Sequence, residues 1–144
     1  MTVRVDVGRA TLVGRVDRLE RDADGGLRVL DYKTGSGRVS RDKLAQHPQL
    51  ATYQVATEHG AFGDEGSRSA GAALLQLGKA ANKSNPPQQQ MPLAEQDDPG
   101  WAQRLVAETA EGMGGAEFEA VVGEWCKFCP VKSSCPAQPE GDTI

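Results

Sequence analysis

Residues 11–35 read TLVGRVDRLERDADGGLRVLDYKTG, an order of residues that is typical of a β-hairpin. Apolar and polar residues alternate over 12–19, and turn-forming residues that include Asp24-Gly25 follow over 21–26. An alternating pattern then resumes over 27–32. We therefore expect two strands joined by a turn, with a further short strand before them over residues 2–8.

Two acidic residues and a lysine lie on this predicted hairpin. Residues two apart on a strand share a face, so Asp31 and Lys33 point the same way. If the hairpin pairs Asp17 with Asp31, both carboxylates and the ammonium group converge on one patch. Like charges directly opposite each other are unfavourable in a sheet without a bound metal ion. A Mg²⁺ or Mn²⁺ ion would remove the repulsion and could activate a water for phosphodiester hydrolysis. The alternative is a solvated strand face with no function.

The rest of the chain mixes helical and extended patterns. We expect a short helix over 40–46, a helix from Pro48 to residue 59 that stops at Gly60, and a helix over 101–113. A buried strand is predicted over 71–77, a polar loop over 81–100 and a last strand over 118–122. The predicted class is therefore α/β, a small sheet flanked by helices.

Composition excludes several classes of protein. The 144 residues are 38% hydrophobic and 25% charged, with no apolar run long enough to cross a bilayer and no export signal. The formal net charge is −4, but residues 1–44 hold ten Lys/Arg against seven Asp/Glu, or +3, and residues 45–144 sum to −7. Whole-chain charge therefore does not exclude a nucleic-acid partner for the hairpin, although exposed arginines can also serve solubility alone.

Three cysteines form a C-x₂-C-x₅-C pattern near the C-terminus: Cys126, Cys129 and Cys135. Thiols at this spacing indicate a metal or iron–sulfur site rather than a disulfide framework. Both kinds of site need four ligands, and the pattern supplies three. His47 or His59 could complete a zinc site, although histidines at helix boundaries are more often polar surface.

Three segments together resemble the PD-(D/E)XK nuclease core of the RecB type: Gly14-Arg15-Val16-Asp17, Asp31-Tyr32-Lys33-Thr34-Gly35 and Gln49-Leu50-Ala51-Thr52-Tyr53. They are most similar to the C-terminal nuclease domain of RecB/AddB-like superfamily I helicase–nucleases, and to related CRISPR-associated nucleases. The resemblance implies a restriction-endonuclease-like α/β core with a Cys-rich C-terminal cap. It also implies a metal-dependent DNA exonuclease domain of an ATP-dependent helicase–nuclease that processes DNA ends in recombination and repair.

The resemblance also assigns roles to residues. Asp17 and Asp31 would bind Mg²⁺ or Mn²⁺, Lys33 would be catalytic, and Gln49 and Tyr53 would border the site. The spacing of the last pair supports this independently, because positions i and i+4 share one helix face. The alternative for that pair is a tyrosine packed in the core beside an exposed glutamine.

In iron–sulfur members of this family, three cysteines at the C-terminal spacing and a fourth far upstream hold a [4Fe–4S] cluster, which implies that role for Cys126, Cys129 and Cys135. The upstream cysteine is absent here, as is the upstream helix that supplies a Glu or His to the active site. We therefore expect the C-terminal part of a longer polypeptide, with an incomplete nuclease core over 1–124, a cluster-binding segment over 125–137 and a tail over 138–144.

The expected partners are DNA, as a single-stranded tail or a duplex end, the helicase portion of the same polypeptide, and a second helicase–nuclease subunit. No membrane partner is expected, and the expected location is the bacterial cytoplasm, with a nucleoid-associated function. Two other functions stay open. One is a non-catalytic DNA-end-binding or interaction module that retains the nuclease fold, and the other is a small zinc-stabilised interaction domain.

Overall fold

The computed structural model describes residues 1–35, 37–78 and 86–141. The chain divides into two units, Met1–Glu111 and Gly112–Ile144, which are described separately. Part of the predicted polar loop (residues 81–85) and the end of the predicted tail (residues 142–144) lie outside the described residues. The predicted domain boundaries stay a prediction.

The described residues of the first unit form two sheets. A two-stranded antiparallel sheet consists of β1 (Thr2–Val7) and β2 (Ala10–Arg15). A second sheet has the strand order β3-β4-β5-β6, with strands β3 (Arg18–Arg21), β4 (Leu27–Lys33), β5 (Ser69–Gln76) and β6 (Gln88–Gln90). The central pair, β4 and β5, is parallel, whereas β3 and β6 pair antiparallel with their neighbours. The carboxyl ends of β4 and β5 therefore meet at one edge of the sheet.

In the part of the chain that the structure describes, three α-helices accompany these sheets: α1 (Arg41–Ala45), α2 (Pro48–Glu58) and α3 (Trp101–Gly114). Helix α2 begins with proline at its first position and is followed by Gly60 at φ 80°, as the sequence predicts. Among the described residues, no helix combines the length and apolar composition that a membrane span requires.

Helix α2 is buried on two sides, which fixes it in the fold. Leu50, with no exposed surface, packs against Ala72 and Leu74 of β5. Ala51 and Val55, on another side of the helix, belong to a cluster that includes Val7 of β1 and residues of α3. The predicted α/β class is confirmed, and α2 is the element that joins the layers.

The prediction of one strand over residues 12–19 is wrong. The chain leaves the first sheet after Arg15 and enters the second at Arg18, so the segment is two strands. Val16, at the break, is 1% exposed and packs in a cluster with Val3 and Leu27. Burial of the Val16 side chain fixes the chain at the point where it passes from the first sheet to the second. The alternation of apolar and polar residues does not show this change of sheet.

The predicted last strand over 118–122 is also wrong. Phe118, Val121 and Val122 are exposed by 77%, 77% and 62%, and the segment has no strand structure. A strand is stable when one face is buried against a neighbour, and no described strand pairs with this segment. Conversely, β6 lies inside the region predicted to be a loop.

After the end of α3, the described residues of the second unit form three short 3₁₀ helices: Glu124–Phe128, Lys132–Ser134 and Pro139–Gly141. Successive backbone hydrogen bonds between residues three apart continue through the cysteine pattern, from Cys129 N to Cys126 O and from Cys135 N to Lys132 O. The cysteine segment is therefore a series of tight turns.

Gly71 is required where β5 meets β6, and its substitution should destabilise the fold. Its φ is +92°, and a Cβ atom there would lie 2.5 Å from the carbonyl oxygen of Gln90. We expect Gly71→Ala to lower the free energy of unfolding by about 2–4 kcal/mol, measured by urea denaturation. Gly112→Ala is the matched control, since a Cβ at Gly112 meets nothing within 4 Å. Equal stability of the two variants would contradict the expectation.

Candidate active site

The β3–β4 pair brings the two predicted acidic residues to the same end of the hairpin. Arg18 pairs with Leu30, and the same register continued by one residue places Asp17 opposite Asp31. The Tyr32 backbone N–H donates a hydrogen bond of 2.8 Å to Asp17 Oδ2. Asp17 is exposed, whereas Asp31 is 6% exposed. One carboxylate is therefore open to solvent and the other lies under helix α2.

One oxygen of Asp31 is held by two side chains of helix α2. Asp31 Oδ1 accepts hydrogen bonds from the Tyr53 hydroxyl at 2.8 Å and from Gln49 Nε2 at 2.9 Å. Gln49 Nε2 also donates to the Tyr53 hydroxyl oxygen at 2.9 Å. Because residues 49 and 53 are one turn apart, a single face of α2 supplies both donors.

Lys33 completes this network. Its ammonium donates to Gln49 Oε1 at 2.7 Å and lies 2.7 Å from Asp31 Oδ2. The contact with Oδ2 is an ion pair without an aligned hydrogen bond, and among the described residues Oδ2 has no hydrogen-bond donor. The structure therefore brings Asp31, Lys33, Gln49 and Tyr53 into one connected group, with Asp17 beside it.

The environment of this group keeps the tyrosine protonated. The pKa of Tyr53 is raised to about 12. Burial is the largest cause, the hydrogen bond to Asp31 is the second, and the charge of Asp17 contributes in the same direction. Burial, followed by the positive charge of Lys33, lowers the pKa of His47, the residue just before α2. At neutral pH Tyr53 is thus protonated and donates its hydrogen bond to Asp31.

Two glutamines of β6 form hydrogen bonds with the backbone of the segment that precedes helix α2. Gln90 Nε2 donates to the carbonyl oxygens of Leu44, Ala45 and His47, at 3.1, 3.1 and 3.3 Å. Gln88 exchanges two hydrogen bonds with the backbone of Val39. The sequence gives no signal for these residues, because three consecutive glutamines show no alternation that would mark one strand face.

Gln54, on α2, holds the helix to the strands from inside the protein. Its Nε2 donates to Gln90 Oε1 at 3.0 Å and to the Met91 carbonyl at 3.1 Å. Its Oε1 accepts from the Ser69 hydroxyl and from the Leu93 N–H, both at 3.0 Å. Gln54 is 1% exposed, so these four bonds are made in the core, and they set the position from which Gln49 and Tyr53 reach Asp31.

The residues of this site suit a magnesium or manganese ion. Asp31 Oδ2 is a buried carboxylate oxygen that accepts no hydrogen bond and is paired with the Lys33 ammonium at 2.7 Å, so it is a position that attracts a cation. Mg²⁺ commonly binds to one or two carboxylates and completes its shell with water and phosphate oxygens. Asp17 and Asp31 could supply those carboxylates. Within the described ranges there is no group of three or more His, Cys, Asp or Glu residues arranged to hold a metal.

Removing the Tyr53 hydroxyl should weaken metal binding. We expect Tyr53→Phe to lower the Mn²⁺ affinity of the chain by about tenfold, because Asp31 loses a donor that orients its carboxylate. Isothermal titration calorimetry would measure the change. Tyr32→Phe is the control, since Tyr32 contacts Asp17 through its backbone N–H. A similar loss of affinity in both variants would argue against an orienting role for Tyr53.

The cysteines occupy the second unit. Cys126, Cys129 and Cys135 are half-buried and free of disulfides. The Gly123 N–H donates to Cys126 Sγ at 3.2 Å. In the part of the chain that the structure describes, the three thiols are not gathered into a group that could hold a metal.

The sequence was compared with known proteins. A comparison with curated proteins finds no significant match. The family model of the PD-(D/E)XK nuclease superfamily matches residues 1–136, which include the whole first unit and the cysteine pattern. Members of this superfamily are nucleases that generally depend on divalent metal ions, in agreement with the α/β fold and the Asp–Lys site. The chain belongs to the PD-(D/E)XK nuclease superfamily.

Proposed function

We propose that this chain is the Mg²⁺- or Mn²⁺-dependent DNA exonuclease domain of an ATP-dependent helicase–nuclease that processes DNA ends in recombination and repair. The observation that carries the proposal is the single network of Asp31, Lys33, Gln49 and Tyr53. The resemblance of the same residues to RecB-type nucleases supports the helicase context. A helicase portion of the same polypeptide, a second subunit and a bacterial cytoplasmic location are parts of this proposal.

Each residue of the network has a task in phosphodiester hydrolysis. A divalent cation held by Asp17 and Asp31 would supply Lewis acidity and lower the pKa of an attacking water. Lys33 places a positive charge at a partly buried position, where it can stabilise negative charge that develops on the phosphate. Gln49 orients Lys33, and Tyr53, which stays protonated, orients Asp31.

Charge supports DNA as the substrate. Residues 1–44, which contain the catalytic hairpin, carry +3, whereas the remainder of the chain carries −7. Arg15 and Arg18 flank Asp17 and are exposed. Arginines beside a metal site are suited to phosphate groups of a DNA strand.

The test is cleavage by the full chain of linear and circular DNA with Mn²⁺. An exonuclease should degrade end-labelled linear DNA and leave covalently closed circular DNA intact, and EDTA should stop the reaction. Cleavage of the circular DNA would replace the exonuclease assignment with an endonuclease one. Absence of cleavage of any DNA, with Mn²⁺ bound, would overturn the catalytic proposal.

A non-catalytic DNA-end-binding module is the second candidate. The observation that favours it is the presence of only two carboxylates at the site and, in the part of the chain that the structure describes, no group of three ligands. Such a module would bind DNA ends without cleaving them. Fluorescence anisotropy with end-labelled and circular competitor DNA, run beside the cleavage assay, distinguishes the two candidates.

We also propose that Cys126, Cys129 and Cys135 hold a [4Fe–4S] cluster when a fourth ligand is supplied. The spacing of the three thiols and the N–H donated to Cys126 Sγ support this, since such hydrogen bonds tune cluster thiolates. Visible absorbance and iron analysis of protein purified without oxygen would test it. Zinc without iron would favour the zinc-stabilised interaction domain instead.

A further inference from the structure

Two buried side-chain oxygens in the described residues accept no hydrogen bond: Asp31 Oδ2 and Gln76 Oε1. Asp31 Oδ2 belongs to the site described above. Gln76 is 7% exposed and has no role in that site so far. A buried amide oxygen without a donor costs free energy, so its presence needs a reason.

Gln76 lies next to Lys33. It is the last residue of β5, and the parallel register pairs it with Lys33 on β4. Paired residues on neighbouring strands point to the same face, and the strands are about 4.8 Å apart. The Leu77 N–H donates to the Lys33 carbonyl at 2.7 Å, which fixes the end of β5 against that residue. The unsatisfied oxygen therefore shares a sheet face with the Lys33 and Asp31 side chains.

Lys33 occupies the oxygen that a metal would need. Its ammonium lies 2.7 Å from Asp31 Oδ2, the atom best suited to a cation. Two positive charges on one carboxylate oxygen repel each other strongly in a buried site. Lys33 must therefore leave Oδ2 when a divalent cation binds there. Because its side chain is 36% exposed, water can accept one of its hydrogen bonds, but a second acceptor from the protein, besides Gln49 Oε1, is required to hold the ammonium beside the site.

We propose that Gln76 Oε1 is that acceptor, so that Gln76 is a positioning residue that receives the Lys33 ammonium when a cation occupies Asp31 Oδ2. The inference rests on the metal-dependent site of the proposed function. It explains why a buried amide oxygen without a donor lies at this position: the missing donor arrives only in the metal-bound state. It also keeps the ammonium at the edge of β4 and β5, beside the site of the reaction.

The test compares Mn²⁺ affinity and thermal stability of full-chain variants. We expect Gln76→Leu to weaken Mn²⁺ binding by about tenfold in titration calorimetry, because Lys33 then has no second acceptor from the protein to hold it away from Asp31 Oδ2. The same substitution should raise the Tm of the metal-free chain by about 3 °C, because a buried unsatisfied oxygen is removed. Gln89→Leu, an exposed position on β6, is the matched control and should change neither quantity.

A double mutant shows whether Gln76 acts through Lys33. Lys33→Met should bind Mn²⁺ at least as tightly as the wild-type chain, because Asp31 Oδ2 is no longer occupied. In that background, Gln76→Leu should have no further effect on Mn²⁺ affinity. A tenfold loss that persists in the double mutant would overturn the proposal, and so would a lower metal-free Tm for Gln76→Leu, which would indicate an ordinary structural role.

The outcomes separate this inference from the proposed function. A wild-type chain that binds no Mn²⁺ would overturn the proposed metal-dependent function and this inference with it. Wild-type Mn²⁺ binding with an unchanged affinity in Gln76→Leu would overturn the inference alone. Wild-type Mn²⁺ binding without DNA cleavage would overturn only the catalytic proposal, while the affinity measurements still decide the role of Gln76.

Discussion

Asp31→Asn should reduce DNA cleavage by about 10³-fold or more, a barrier increase of about 4 kcal/mol. The amide keeps the size of the side chain and can still accept hydrogen bonds from Tyr53 and Gln49. It loses the negative charge that binds a divalent cation and that pairs with Lys33. The expected result is therefore a folded protein with little metal affinity and little activity.

The measurement is the initial rate of degradation of end-labelled linear DNA at saturating Mn²⁺, with circular dichroism to verify folding. Asp24→Asn is the matched control, because Asp24 lies in the turn of the same hairpin and its side chain is exposed. The control should keep the wild-type rate. Undiminished cleavage by Asp31→Asn would remove Asp31 from the catalytic site and with it the proposed mechanism.

Gln54→Leu should lower the free energy of unfolding by about 4 kcal/mol. The substitution is close in size, but it leaves the Leu93 N–H, the Ser69 hydroxyl and Gln90 Oε1 without their partner in the core. Each buried group left unsatisfied costs about 1–3 kcal/mol. Because Gln54 joins α2 to β5 and β6, the loss should also weaken the hold on the helix that carries Gln49 and Tyr53.

Urea denaturation monitored by tryptophan fluorescence would measure this loss. Gln103→Leu, the same change at an exposed position of α3, is the control and should alter stability by less than about 0.5 kcal/mol. If both variants unfold at the same urea concentration, the glutamine network does not support the fold as described.

Local signals predicted the elements that carry the site. Pro48 and Gly60 mark the ends of α2, and the i, i+4 spacing places Gln49 and Tyr53 on one face of it. Alternation over the hairpin was sufficient to suggest the Asp17–Asp31 register, since β3 and β4 pair through a short turn. These features depend on residues near one another in sequence, where periodicity and turn chemistry are informative.

Features that depend on distant contacts were not predictable in this way. Glutamines at 88–90 after two prolines have the composition of a loop, and they form a strand because β5 offers a partner and helix backbone offers acceptors. Val16 is buried in phase with Leu12 and Gly14, so the alternation continues through the point where the chain passes from one sheet to the other and does not mark it. No local pattern in the sequence places Gln76 near the site. Its position there comes from the pairing of two parallel strands, which sets it beside Lys33.

Glutamine side-chain amides help to position α2. Because these groups are uncharged, their hydrogen bonds depend little on ionic strength. Salt screens interactions between charged groups and weakens contacts with DNA phosphates, but it has little effect on buried hydrogen bonds between uncharged groups. The bonds of Gln54 and Gln90 therefore keep α2 in position under conditions that release a nucleic acid. Substrate affinity can thus vary with the ionic environment while the geometry around Asp31 stays the same.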